Sequence, residues 1–306
     1  MFFFACIILE LSATVISNFR GQFGNQLFQA AAAVSVALDN GCDVNFPDVL
    51  NFENPNWGQS WDLRQTYAYI LHRIPNQVSD RRSPSRIYRQ PPAGSKYEPI
   101  PYQPNIEING FFESEKYFFN HREFIKELYS CPQEIEANLR RDFGWIIDHP
   151  KSVAIHVRTG YRDYLLDGPN GKNPDFYSPH RYLRPDANFY ERAMELFDED
   201  SLFIVFSDHI GWCKQNLSGI KKNIIFLEGL DHIHDFYLLS FCKDSIIANS
   251  TFGWWASYLN KNPNKRVVCR APFRIIDPVD DTDEILCPDW IRIPGIPNKQ
   301  IPFPQF

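Results

Sequence analysis

Polar and charged residues follow five separate apolar runs in the second half of the sequence. The runs are VAIHV (153–157), LFIVF (202–206), NIIFL (223–227), SIIAN (245–249) and VVC (267–269). Residue types that bind anions or transfer protons end or follow them: Arg158-Thr159, Ser207-Asp208-His209, Glu228, Asn249-Ser250-Thr251 and Arg270. Helix capping explains any one such turn, but the five together at one sheet edge favour a ligand site.

The segment ANSTFGWWASYLN indicates how this site would hold an anion. Asn249, Ser250 and Thr251 precede a predicted helix, where hydroxyl caps, backbone N–H groups and the positive helix end favour phosphate. Gly253 allows a close backbone approach. Arg158, from a neighbouring turn, can grip phosphate oxygens in a forked geometry that lysine cannot copy. The sequence therefore predicts a diphosphate site that needs no metal.

The same runs predict the fold around this site. They are continuous rather than alternating, which is typical of strands buried on both faces of a parallel sheet. Helical stretches separate them, namely NFYERAMELF, GWCKQN, DHIHDFYLLSFC and WWASYLN. This alternation predicts a doubly wound α/β domain over residues 149–306.

The first half, residues 1–148, predicts a further α/β domain. ATVISN predicts a strand, FRGQFGN a turn, QLFQAAAAVSVALDN a helix, and CDVNFP a second strand. Asn25 is expected to cap this helix, and Asn40-Gly41 to end it. IEINGFFESEKYFFNHREFIKELY predicts a strand, a turn and a helix that begins near Ser114.

Residues 48–105 are poorly patterned. NWGQSWDLRQTYAYI is compatible with a helix, whereas RRSPSRIYRQPPAGSKYEPIPYQP is rich in proline and basic residues and predicts a loop. Trp57, Trp61 and Tyr67 in this stretch are candidates to line a sugar groove, with loop surface as the alternative.

Composition narrows the class of protein. A chain of 306 residues with 44% hydrophobic and 22% charged residues is large and apolar enough for two folded domains. A net charge of -6 argues against nucleic-acid binding, which requires a basic surface. No Walker-type phosphate loop is present, and the turn at Gly21 and Gly24 lacks the third glycine of a dinucleotide-binding motif. Asp198-Glu199-Asp200 and Asp281-Thr282-Asp283 are interpreted as solvated turns rather than metal sites.

The cysteines and the N-terminal segment bear on the cellular location of the protein. Seven scattered cysteines without metal-ligand spacing predict reduced thiols and a cytoplasmic protein. The apolar start MFFFACIILEL is interrupted by Glu10, is shorter than the ~20 residues of a membrane span and lacks the basic start of a signal peptide. It predicts a buried strand or a surface-lying segment. Peripheral membrane association, or a Golgi lumen location if a longer anchor has been truncated, stays open, as does the oligomeric state.

Five sequence blocks resemble the α-1,2-fucosyltransferases, glycosyltransferase family eleven. GQFGNQLFQAAA is similar to G-x-L-G-N-Q-M-F-Q-Y-A, and GFFESEKYF to G-Y-F-Q-S-E-K-Y-F. HVRTGYRDY is similar to H-x-R-R-G-D-Y, and FSDHIGWCKQNL to F-S-D-D-x-x-W-C-K-x-x-L. ANSTFGWWASYLN is similar to A-N-S-T-F-S-W-W-A-A-Y-L, and the blocks occur in order over residues 20–260.

The resemblance implies a GT-B fold of two facing Rossmann-like domains with parallel sheets. It also implies an inverting transfer of L-fucose from GDP-β-L-fucose to a galactose-type hydroxyl of a glycan, without a required metal. The first domain would bind the glycan acceptor and the second GDP. The implied donor-binding residues are Arg158, Asn249, Ser250, Thr251 and Phe252 in the second domain, and Gly24, Asn25 and Gln26 in the first.

Catalysis is expected to depend on Arg158, because charge grows on the diphosphate as the sugar leaves. The candidates for a general base are His156, Asp163, Asp208 and His209, with His156 and Asp208 ranked first. Each of these two has an alternative role. A histidine within a strand is commonly a hydrogen-bonded core residue, and the aspartate can instead cap a helix or orient Arg158.

Two departures from the family pattern keep other functions open. Thr159 stands in place of the second arginine of H-x-R-R, with Arg162 as a substitute for its charge, and His209 stands in place of the second aspartate of S-D-D. The alternatives are a nucleotide-sugar- or glycan-binding homologue without turnover, and a related transferase with another acceptor or sugar nucleotide.

Overall fold

The structure is a computed structural model that describes residues 12–50, 63–78, 82–91, 96–159, 186–273 and 283–295. Two sheets form its framework. The strands of the first sheet are β1 (Thr14–Ser17), β2 (Asp43–Asn45), β3 (Gln77–Val78), β4 (Arg86–Arg89) and β5 (Ile106–Asn109). The strands of the second are β6 (Ser152–Val157), β7 (Leu202–Ser207), β8 (Asn223–Phe226), β9 (Asp244–Ile247), β10 (Val267–Ala271) and β11 (Ile291–Pro294).

Eight α-helices accompany these strands in the described ranges. Those of the first half are α1 (Phe23–Asn40), α2 (Leu63–Tyr69), α3 (Arg122–Leu128) and α4 (Gln133–Ile147). Those of the second half are α5 (Ala187–Met194), α6 (Ile210–Leu217), α7 (His232–Phe241) and α8 (Thr251–Leu259). The four helices predicted between the apolar runs of the second half are therefore confirmed.

Strand order determines where a ligand can bind. The orders are β3-β2-β1-β5-β4 and β11-β10-β9-β6-β7-β8, and the neighbouring strands are parallel. This confirms two Rossmann-like parallel sheets. In the second sheet the order reverses between β6 and β9, and a crevice opens beyond the carboxyl ends of such a strand pair. The turns that carry Arg158 and Asn249 begin at this crevice.

The two halves of the chain pack through α1 and α8. The ring of Phe28 lies 4.5 Å from that of Trp254 and 4.8 Å from that of Trp255, centroid to centroid. Both tryptophans are fully buried, and a single hydrophobic cluster includes residues of both halves. Four residues earlier in α1, Gly24 lies against Thr251 at the start of α8. The two helices therefore run side by side with their N-termini at the same end.

Three local predictions are wrong. The segment after Ser114 forms two short 3-10 turns, Glu115–Tyr117 and Phe119–His121, and α3 begins only at Arg122. The helix cannot run through because Phe118 adopts a non-helical backbone (φ -137°, ψ 16°). Within the stretch predicted as loop, Arg86–Arg89 forms edge strand β4, which pairs with β5.

The third wrong prediction concerns the start of α1. The helix begins at Phe23 with Gln22 as its N-cap, so Asn25 lies inside the first turn and does not cap it. The predicted end is confirmed, because Gly41 adopts a left-handed backbone after Asn40.

Several predictions fall on residues outside the described ranges: the N-terminal segment 1–11, Trp57, Trp61, Arg162, Asp163 and the first two residues of the Asp281-Thr282-Asp283 pattern. Six of the seven cysteines lie in the described ranges and all six are thiols, as predicted for them. No helix among the described residues combines the length and apolar character that crossing a membrane requires.

Candidate active site

Arg158 lies where the two domains meet, directly after β6. Its Nη1 donates to Oδ2 of Asp208 at 3.0 Å, and its Nη2 donates to Oε1 of Gln22, in the first domain, at 3.0 Å. Oδ1 of Asp208 accepts hydrogen bonds from the backbone N (2.8 Å) and Oγ1 (3.0 Å) of Thr159. The Asp208 carboxylate thus accepts hydrogen bonds from both Arg158 and Thr159. This agrees with the predicted role of Asp208 in orienting Arg158.

The start of α8 forms the second part of the site. Ser250 is the N-cap in extended conformation, but its side chain makes no capping hydrogen bond. Oγ1 of Thr251 donates to Oδ1 of Asn25 across the domain boundary at 2.6 Å. The predicted helix start is confirmed, whereas capping by the Ser250 hydroxyl is wrong. A first turn without a side-chain cap leaves its backbone N–H groups to solvent or to a ligand.

Two helix N-termini converge here. A Cβ built on Gly24 would lie 2.5 Å from the carbonyl carbon of Thr251, so the first turns of α1 and α8 are in direct backbone contact. Neither first turn carries an acidic residue. Because each N-terminus carries a partial positive charge, the two ends and the Arg158 guanidinium together favour an anion.

His156 lies beneath this site in β6. The residue is buried, and its Nδ1 has no hydrogen-bond partner. The ring stacks on Phe252 at 5.2 Å between centroids, and a Cβ on Gly253 would approach Nδ1 to 2.8 Å. Burial, with a smaller contribution from the Arg158 charge, lowers the pKa of His156 to about 4. The ring is therefore neutral at pH 7 and only a weak base.

The remaining predicted donor-binding residues divide into two groups. Asn25, Asn249, Ser250, Thr251 and Phe252 are half-buried around the contact between the helix ends. Gln26 is fully buried, and its Nε2 donates to the Gly21 carbonyl at 3.2 Å. Gln26 therefore supports the turn before α1. His209 is the N-cap of α6.

A cavity of about 270 Å³ opens beside the arginine. Its walls come from the end of β7, from the segments that follow β7 and β8, and from the first turns of α6 and α7: Ser207, Asp208, Ile210, Leu227, Glu228, Gly229, Leu230 and Asp235. Burial, and secondarily the nearby charge of Asp231, raises the pKa of Asp235 to about 7. Asp208 lines this cavity and also holds Arg158, so the cavity and the anion site adjoin.

Sequence reasoning missed Gln22 and Asp235. Asp235 had a weak signal, because Asp231 and Asp235 are four residues apart in a predicted helix and must share one face. Gln22 had none of its own, since its role depends on a contact 136 residues away along the chain.

The structure supports the interpretation of Asp198-Glu199-Asp200 as a turn. Lys151 Nζ lies 2.8 Å from Asp198 and 2.7 Å from Asp200, and all three side chains are exposed. Lys151 precedes β6, so this group lies at the opposite edge of the sheet from Arg158. Within the described ranges, no three His, Cys, Asp or Glu residues cluster in a way that could hold a metal ion.

Known proteins share this sequence pattern. The profile of Glycosyl transferase family 11 matches residues 93–293. The chain is 25% identical over 303 residues to an alpha-1,2-colitosyltransferase of Escherichia coli, covering 91% of this chain and 98% of that protein. It is 28% identical over 262 residues to galactoside alpha-(1,2)-fucosyltransferase 1 of Lagothrix lagotricha, covering 82% of this chain but 66% of that enzyme.

A solved structure shares the fold. NodZ alpha-1,6-fucosyltransferase from Bradyrhizobium, in crystals soaked with GDP-fucose, superposes with a TM-score of 0.51 at 15% identity. The match covers 81% of this chain and 92% of NodZ. The two parallel sheets and this likeness show the GT-B fold. The chain belongs to glycosyl transferase family 11.

Proposed function

We propose that the protein transfers L-fucose from GDP-fucose to a galactose-type hydroxyl of a glycan, forming an α-1,2 linkage with inversion and without a metal. The observation that carries this proposal is the meeting of Arg158 with two helix N-termini at the domain boundary. The names of the two relatives, an alpha-1,2-colitosyltransferase and a galactoside alpha-(1,2)-fucosyltransferase, support the linkage.

In this proposal Arg158 and the helix ends bind the diphosphate. The acceptor oxygen releases its proton to solvent and bonds to the anomeric carbon from the face opposite GDP. The bond from that carbon to the diphosphate oxygen breaks, and negative charge grows on the departing GDP. Preorganised positive groups lower the barrier because they stabilise this charge more strongly in the transition state than in the ground state. The charge supplied by protein groups takes the place that a divalent cation would otherwise occupy.

In this proposal the cavity beside Arg158 holds the guanine base of the donor. Guanine presents two neighbouring donors, N1–H and its exocyclic amino group, and the Asp235 carboxylate can accept both. The lining of the cavity is mostly polar, with Leu227, Leu230 and Ile210 also contributing to it, which suits the polar edges of a base. Because Asp208 joins the cavity to Arg158, base and diphosphate would be bound side by side.

The direct test is Arg158→Lys, assayed for GDP release with GDP-fucose and a galactose-terminated acceptor. Lysine keeps the charge but loses the fork held by Asp208 and Gln22, so we expect kcat to fall by about 100-fold. Arg141→Lys is the matched control, because that side chain is 66% exposed on α4. A near-normal kcat for Arg158→Lys, or failure of the wild-type protein to bind GDP in calorimetry, would refute the proposal.

A second candidate is transfer of another deoxy sugar. It is favoured by the colitosyltransferase, which matches this chain over nearly its whole length. A panel of GDP-sugars assayed with one acceptor distinguishes the two by their kcat/KM values. Thr159, which replaces the second arginine of the family pattern, does not argue for a homologue without turnover. Thr159 binds Asp208 and so helps to hold Arg158 in place.

A further inference from the structure

The turn between β1 and α1 is held rigidly by its own domain. Oε1 of Gln29 accepts from the backbone N of Arg20, and Nε2 of Gln29 donates to the Arg20 carbonyl, both at 2.8 Å. Gln26 Nε2 bonds the carbonyl of Gly21, which adopts a left-handed φ of 71°. Both glutamines are fully buried. The residue that follows, Gln22, therefore projects from a fixed backbone.

Gln22 occupies an N-cap position without capping the helix. Short side chains such as serine and aspartate are preferred there, because they reach back to the N–H groups of the first turn. Gln22 makes no capping hydrogen bond. Its Oε1 instead accepts from Nη2 of Arg158 in the other domain at 3.0 Å.

The two acceptors on Arg158 differ in charge. Asp208, from the same domain as Arg158, is a carboxylate and offsets part of the positive charge. Gln22, from the opposite domain, is neutral, so it fixes the direction of the guanidinium without reducing its charge. Holding both amino groups fixes the plane of the guanidinium, which is what forked binding of phosphate oxygens requires.

We propose that Gln22 is a positioning residue for donor cleavage, which aims Arg158 at the diphosphate and makes that aim depend on the first domain. This inference rests on the proposed function of the site as a GDP-sugar site. Because the need for a correctly aimed charge is greatest when the diphosphate departs, the effect of Gln22 falls mainly on kcat.

Gln22→Met tests this role, because methionine has a similar length and lacks the strong acceptor. We expect kcat to fall about tenfold, the effect of one hydrogen bond to a charged group, while KM for GDP-fucose changes less than about threefold. Gln215→Met on the exposed face of α6 is the matched control. Wild-type kcat in Gln22→Met would overturn the proposal.

A double-mutant cycle shows whether Gln22 acts through the arginine. In the Arg158→Lys background, Gln22→Met should cause no further loss, because the fork that it aims is already gone. An equal fold-loss in both backgrounds would overturn the proposal. If the wild-type protein fails to bind GDP in calorimetry, the proposed function fails instead, so the two failures are distinguishable.

Gln22→Glu keeps the acceptor and covers the case in which the methionine variant is unstable. The added carboxylate should pair with Arg158 and repel the diphosphate, which raises KM for GDP-fucose at low salt and raises it less at high salt. An unchanged KM at low ionic strength would show that Gln22 does not adjoin the donor site, and would overturn the proposal.

Discussion

Replacing Gly24 with alanine tests whether the two helix ends must touch. The added methyl carbon would lie 2.5 Å from the carbonyl carbon of Thr251 and 2.6 Å from the backbone N of Phe252, whereas ordinary contact begins at 3.4 Å. These are backbone atoms within a helix, so no side-chain rotation relieves the clash. The starts of α1 and α8 must separate by about 1 Å to admit the methyl group.

Two effects of different size should follow. Overpacking of this kind destabilises a protein by roughly 1–3 kcal/mol, which a chain of this size tolerates. Displacing groups that bind the transition state by about 1 Å costs on the order of 100-fold in rate. We therefore expect kcat/KM for GDP-fucose to fall about 100-fold in a protein that remains folded at the assay temperature.

The assay compares GDP release with thermal unfolding followed by circular dichroism. Gly219→Ala is the matched control, because a Cβ at that position meets no atom within 4 Å. Gly24→Ala with wild-type kcat/KM would refute the reasoning, since the site would then function without contact between the helix ends. Loss of activity in Gly219→Ala would show that the assay reports on folding.

Two further predictions concern pH and metal. Asp235 has a pKa raised to about 7, and only its ionised form can accept from both guanine donors, so GDP affinity should increase as the pH rises from 6 to 8. Asp235→Asn should remove this dependence in calorimetry, and an unchanged pH profile in the variant would contradict the assignment. Activity should survive EDTA, whereas complete loss restored by Mn²⁺ would contradict metal independence and implicate Asp281-Thr282-Asp283.

The second domain was predictable because four of its strands, β6, β7, β9 and β10, are buried along almost their whole length. An unbroken apolar run such as LFIVF, separated by a helical stretch from the next run, is typical of a buried strand in a parallel sheet, and parallel order then places the following residues at one edge. Arg158, Asp208 and Asn249 could therefore be placed at one edge of the sheet from the sequence. Which of these side chains bind one another depends on their three-dimensional arrangement.

The features of the first domain that the sequence did not predict depend on contacts with other parts of the chain. RIYR forms β4 because its backbone pairs with the free edge of β5. This strand therefore forms through pairing and not because its residues are apolar. The 3-10 turns after Ser114 depend on contacts with a distant segment, since Ser114 Oγ donates to the Glu284 carbonyl at 2.8 Å. Gln22 likewise acquires its role from Arg158. Residues that make contacts between the domains show no periodic pattern in the sequence of either domain.

The packing of Phe28 against Trp254 and Trp255 has a consequence for how the chain folds. The larger hydrophobic cluster of the described residues contains side chains of both halves, so removing either half would expose part of it. A fragment limited to residues 149–306 would expose both indole rings and should aggregate. The intact chain should melt in a single calorimetric transition, and the width of its cleft is then a property of the folded core rather than of a hinge.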